Sequence, residues 1–107
     1  MKSDQILIKH ILESADKISR FVADMTYQQF SNDEKTLSAV VRELMVIGEA
    51  ASGLSDEFKE KHSKIPFHEA IGMRNRIVHE YWAVDDTVVW KTSTEDVPQL
   101  KKLLAEL

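Results

Sequence analysis

The chain has 107 residues, no cysteine, a formal net charge of −4, and 43% hydrophobic against 30% charged residues. That length sets a single domain over 1–107, and the missing cysteines exclude disulfides, thiolate nucleophiles and thiolate zinc sites, which fits a reducing, cytoplasmic setting. The acidic balance speaks against broad, charge-driven nucleic-acid binding and leaves room only for a local basic site.

The opening residues MKSDQILIKH carry Asp4 and Lys9, which interrupt any signal-like stretch. No apolar run is longer than the one from Leu44 to Ile47, so no membrane segment is expected. With Ser3 or Asp4 as N-cap, Leu7, Ile8, Ile11, Leu12, Ala15, Ile18, Phe21, Val22 and Met25 recur at helical period and predict a long amphipathic helix. The stretch from Thr26 to Asp33 reads as a turn with one short helical turn. Ser31 or Asn32 then caps a second long helix through Leu37, Val40, Val41, Leu44, Met45, Ile47 and Ala51, which Gly53 stops. Ser55 opens a short helix to about His62. Pro66 sits in the first turn of the next helix, which runs to about Trp82. Asp85 and Asp86 cap a last helix from about Thr87 to Glu106, whose backbone ladder Pro98 must kink or interrupt. The expected fold is an all-α, antiparallel four- to five-helix bundle.

The helix from Pro66 to Trp82 carries the chemistry. At about 100° per residue, Phe67, Ala70, Ile71, Arg74, Ile77, Val78 and Tyr81 share one face, so a guanidinium and a phenol lie on the buried or half-buried side. His79, five residues beyond Arg74, is about 140° away and aligns with Asn75 instead. One ideal helix therefore does not bring Arg74 and His79 together: they converge only if Arg74 wraps round the helix, if the helix ends near His79, or if a second copy of the helix supplies part of the site, and the expected assembly is a two-fold homodimer. Histidine exchanges protons near neutral pH, and arginine offers a planar fork to phosphate oxygens. Asn75, one turn before His79, can orient its ring. Arg42, Glu43 and Glu49 read as bundle-edge ion-pair residues, and Glu43 or Glu49 could anchor Arg74. Gly48, Ala50, Ala51 and Gly72 allow close helix approach, and Trp82 and Trp90 serve as interface anchors or core filler. His10, His62 and His68 show no metal-ligand spacing, so neither a metal nor a cofactor is expected.

The pattern R-x(4)-H-x-Y formed by Arg74, His79 and Tyr81 is similar to the signature of the HepT-like branch of the HEPN superfamily, small helical ribonuclease toxins. The blocks "VVRELMVIGEAA", "IPFHEAIGMRNRIVHEYWAVD" and "VVWKTSTEDVPQLKKLL" resemble that family's blocks in order and spacing. The resemblance implies a HEPN-like five-helix bundle, a homodimer with motif helices facing across a cleft, and a minimal nucleotidyltransferase antitoxin encoded nearby. It also implies metal-independent cleavage of RNA, with tRNA as target, Arg74 and His79 as catalytic residues, and Tyr81 as the acceptor of silencing AMP groups; the Tyr81 ring is also a candidate RNA contact by stacking. The alternative is a non-catalytic helical subunit that presents substrate to the partner nucleotidyltransferase.

Overall fold

The computed structural model describes residues 3–80 and 84–107, and the expectations on Tyr81 and Trp82 lie outside the described residues. Helix α1 (Asp4–Val22) starts where the Ser3 hydroxyl accepts the Ile6 N–H at 3.3 Å, and its i, i+4 stripe Leu7, Ile11, Ala15, Ile18 and Val22 is buried. Helix α2 (Tyr27–Ser31) is the short turn expected, closed by a capping box. The Thr26 hydroxyl accepts the Gln29 N–H at 3.1 Å, and the Gln29 side-chain Oε1 accepts the Thr26 N–H at 2.9 Å.

Helix α3 (Glu34–Gly53) is capped by Asp33, not by Ser31 or Asn32. Ser31 still belongs to α2, and the Asn32 amide turns back to donate to the Gln28 carbonyl at 2.9 Å, which leaves Asp33 to face the new helix. Its carboxylate accepts from the Thr36 N–H at 3.1 Å and the Thr36 hydroxyl at 2.8 Å, and these bonds hold its pKa below the ordinary 3.8. Gly53 is the last residue of α3, but no glycine among the described residues takes positive φ. Its bareness serves packing instead, since a Cβ there would stand 3.2 Å from Leu7 Cδ1 of α1. Asp4 accepts the Ser55 N–H at 2.9 Å and the Ser55 hydroxyl at 2.8 Å, so the start of α1 is tied to the end of α3 and the two run antiparallel.

Helix α4 (Asp56–Lys61) begins at the Ser55 cap, and helix α5 (Phe67–Glu80) follows. Pro66 precedes α5 rather than lying in its first turn; its carbonyl accepts the Ala70 N–H at 3.2 Å, the role of a capping residue. Helices α6 (Asp86–Lys91) and α7 (Val97–Ala105) are joined by a π-helical turn over Thr92–Asp96 into one rod. Asp85 caps it, while Asp86 accepts a 3.0 Å bond from the Tyr27 hydroxyl. Pro98 has no N–H and its ring would crowd the Thr94 carbonyl in α geometry, so the expected disturbance is taken up by a wider turn just before it. There the Val97 N–H reaches back to the Thr92 carbonyl, and the Ser93 and Thr94 hydroxyls donate to the Val89 and Trp90 carbonyls, each at 2.8 Å.

Four long helical rods and two short helices thus make an all-α, HEPN-like bundle, with no strand among the described residues. Ile11, Ala15 and Ile18 of α1 meet Val40, Leu44, Ile47 and Ala51 of α3, and Val89, Val97, Leu100 and Leu104 close the core. Each large aliphatic buried there contributes roughly 1.5–3 kcal/mol. Trp90 packs as core filler, its ring 5.1 Å from that of buried Phe30 and 6.3 Å from that of Tyr27. Among the described residues, no helix is long and apolar enough to cross a membrane.

Candidate active site

Among the described residues, α5 packs substantially on α3 alone, and that shapes everything it carries. A single neighbour covers a narrow stripe, so only Phe67 and Ile77 are buried, while Ala70, Ile71, Met73 and Arg74 are half-buried. Val78, expected on the covered face, is 48% exposed because it lies beyond the edge of that stripe.

Arg74 faces α3 at Gly48. A Cβ on Gly48 would collide with Arg74 Cβ, and would lie 2.8 Å from the Ala70 carbonyl oxygen and 3.0 Å from Arg74 Cγ. The two backbones are therefore close enough that only glycine fits, and the stem of Arg74 is wedged between them. Gly72 is different from what its sequence position suggests: among the described residues a Cβ there would meet nothing within 4 Å, so it serves no close helix contact among them.

At the outer end of the wedge, Arg74 Nη1 lies 3.4 Å from Oε2 of Glu49, the residue after Gly48. The Arg74 side chain is 23% exposed and that of Glu49 73% exposed. Arg74 Nε is buried with no hydrogen-bond partner among the described residues. Glu43 goes elsewhere: it is buried, not at the bundle edge, and pairs with its exposed neighbour Arg42. Asn75 and His79 both face solvent on one stripe of α5, and Arg76, also exposed, pairs with Glu80 at 3.5 Å. The structure thus brings together Gly48, Glu49 and Arg74, and leaves Asn75 and His79 on an adjacent open face. Gly48 was legible only as a packing residue. Its signal is a glycine inside a long helix, a placement that costs about 1 kcal/mol relative to alanine and calls for a close approach in return.

The chemistry of the arrangement is that of anion contact beside proton exchange. A guanidinium held at its base presents its tip to solvent, and an accessible imidazole stands farther along the same helix. Among the described residues, no group of three His, Asp or Glu is placed to hold a metal ion.

A family model described as "Ribonuclease HepT-like" matches residues 11–107. The chain belongs to the HepT-like ribonuclease family. It is 36% identical over 107 residues to a candidate RNase of Caldanaerobacter subterraneus subsp. tengcongensis, covering all of this chain and 96% of that one. It is 38% identical over 100 residues to a probable ribonuclease HepT of Thermococcus cleftensis, covering 94% of this chain and 91% of the relative. A candidate RNase of Methanocaldococcus jannaschii is 40% identical over 92 residues, 86% of this chain and 84% of its own. No solved structure matches the chain. The HepT-like match takes in both halves of the site, the Gly48–Glu49 pair on α3 and the motif helix α5.

Proposed function

We propose that this HepT-like chain is the toxin of a HEPN/nucleotidyltransferase toxin–antitoxin pair, a metal-independent ribonuclease acting on tRNA as a two-fold homodimer. The observation that carries the reading is Arg74, wedged at its stem by Gly48 with its guanidinium at the surface, on the helix that also exposes His79. Metal-free RNA cleavage needs a base for the adjacent 2′-hydroxyl and a cation for the charge that builds on the non-bridging oxygens. His79 in its neutral form takes the 2′-proton, the 2′-oxygen attacks phosphorus to form a 2′,3′-cyclic phosphate, and the P–O5′ bond breaks with the 5′-oxygen taking a proton from water, while Arg74 holds the phosphoryl oxygens. Asn75 orients the imidazole. Because α5 is covered on one side only, its open face is where a second copy packs, and the cleft so formed gathers both Arg74–His79 sets.

Across residues 56–80 the basic Lys59, Lys61, Lys64, Arg74 and Arg76 stand against the acidic Asp56, Glu57, Glu60, Glu69 and Glu80, so this stretch is balanced while the whole chain is acidic. RNA binding in this reading therefore rests on the Arg74 contact and on the pairing of two copies, not on a broad basic surface.

Tyr81, two residues after His79, is the position at which a minimal nucleotidyltransferase attaches AMP in this reading. The added phosphodiester brings negative charge and a bulky nucleoside to the motif that RNA phosphate would use. The test is expression alone and with the neighbouring nucleotidyltransferase gene, scoring growth and tRNA integrity. Toxicity and tRNA cleavage that disappear in His79→Ala and Arg74→Ala, persist in chelator, and are silenced by an active partner are expected. A wild-type chain that is folded but inert towards RNA, yet still binds the nucleotidyltransferase, would replace this reading with the non-catalytic subunit.

A further inference from the structure

We infer that Glu49 is a displaceable counter-ion that holds the place of the substrate phosphate on Arg74, so that RNA binds by exchanging one anion for another; this rests on the ribonuclease reading. Two roles are open to a carboxylate beside a phosphate-binding guanidinium: it can anchor the arginine, or it can compete with the ligand. The geometry separates them. An anchoring carboxylate makes short, preferably two-pronged bonds of about 2.7–2.9 Å. Glu49 makes one contact of 3.4 Å, from a side chain 73% exposed. Arg74 is meanwhile held without it, because its Cβ and Cγ lie so close to Gly48 of α3 that no side chain fits between them. The stem is immobilised by packing, and the tip is only loosely neutralised.

The state of the guanidinium points the same way. Its Nε is buried with no acceptor among the described residues, so the resting pose leaves a strong donor unmet and is not the best that Arg74 can reach. A phosphate has three or more acceptor directions where Glu49 offers one contact, and it can repay the turning of the fork that Glu49 does not. Glu49 reaches Arg74 from a side chain far more exposed than the guanidinium's own, and an exposed side chain can swing away without disturbing α3.

The measurement is RNA affinity in a double-mutant cycle, made on the His79→Ala protein so that the probe, bulk tRNA carrying a fluorophore, is not cut. Glu49→Gln keeps the shape and removes the charge. It should bind tRNA more tightly by up to about five-fold, the effect of an exposed pair worth about 1 kcal/mol. The gain should shrink in high salt, where such a contact is screened, and vanish when Arg74→Ala is also present. With His79 restored, Glu49→Gln should lower KM and leave kcat in place, a split that a packing role would not produce. Tighter binding that survives Arg74→Ala would mean only a general loss of repulsion and would overturn the proposal. Weaker binding or a fallen kcat would make Glu49 the anchor and overturn it as well. If the His79→Ala protein binds no tRNA at all, the ribonuclease reading fails and takes this one with it, whereas normal binding that ignores Glu49 removes this inference alone.

Discussion

Replacing Gly48 by alanine tests the close approach of α3 to α5 and the site built on it. On an open helix the change would stabilise the protein by about 1 kcal/mol through helix propensity. Here the new methyl collides with Arg74 Cβ and lies 2.8 Å from the Ala70 carbonyl oxygen, a backbone atom that cannot turn aside. The helices must part until that contact reaches the 3.4 Å at which ordinary packing begins. Overpacking costs roughly 1–3 kcal/mol, and a collision with a backbone atom and a Cβ belongs at the upper end, about 2–3 kcal/mol, so after the propensity gain the net loss is about 1–2 kcal/mol and Tm falls by roughly 5–15 °C. Moving the stem of Arg74 misplaces its guanidinium, and RNA cleavage should drop by about ten- to a hundred-fold at temperatures where the variant is still folded. Gly72→Ala is the internal control, since the same methyl meets nothing within 4 Å among the described residues and should raise stability by up to about 1 kcal/mol. Urea unfolding followed by circular dichroism reads both changes. Equal midpoints for wild type and Gly48→Ala, or an equal loss in Gly72→Ala, would refute the reasoning.

Arg74→Lys keeps the charge but loses the planar fork, and single-turnover cleavage of tRNA should fall by about a hundred-fold with the unfolding midpoint nearly unchanged. Tyr81→Phe should stay toxic when co-expressed with an active nucleotidyltransferase, while intact-mass analysis shows AMP on the wild type and none on the variant; AMP at another residue would dismiss the switch. Sedimentation at micromolar concentration should give a dimer, and an active monomer would dismiss the shared cleft. Hydrogen bonds from Thr36 and Thr87 hold the pKa values of Asp33 and Asp85 below the ordinary 3.8. Between that value and the lower folded ones the unfolded chain binds more protons, so the stability these caps add is complete above about pH 4 and lost as pH falls through the folded values. Asp33→Asn should flatten this acid limb in urea midpoints measured from pH 5 down to pH 2.

The helices themselves were legible because their signals are local. The period of α1, the Ser3 and Ser55 caps and the alternation of long and short helical runs need no knowledge of neighbours. Where several local signals compete, the outcome rests on a detail the pattern does not carry. Ser31, Asn32 and Asp33 can all cap a helix, and the choice of Asp33 follows from the Asn32 amide turning back to Gln28. Pro98 announced a disturbance, but widening into a π turn instead of breaking depended on hydroxyls at Ser93 and Thr94 that could serve the stray carbonyls. The site divides the same way. Arg74, Asn75 and His79 stood out by residue type and by resemblance, yet Gly48 and Gly72 look alike in sequence and only the packing of α5 on α3 tells them apart. Glu43 and Glu49 were equivalent until the rotation of α3 sent one inward to Arg42 and the other to Arg74.

Because α5 rests substantially on α3 alone among the described residues, fewer neighbours hold it than hold α1, α3 and the α6–α7 rod, although its Phe67 and Ile77 share their core. Its backbone amides should exchange with solvent through a local opening, well below the free energy of global unfolding. Any partner that grips the open face, whether a second copy or an antitoxin, then does more than cover the surface: by mass action it closes that opening. The helix that carries the reactive groups is in this sense a foldon of its own, ordered in proportion to the company it keeps, and dilution below the assembly's dissociation constant would silence it by melting rather than by blocking.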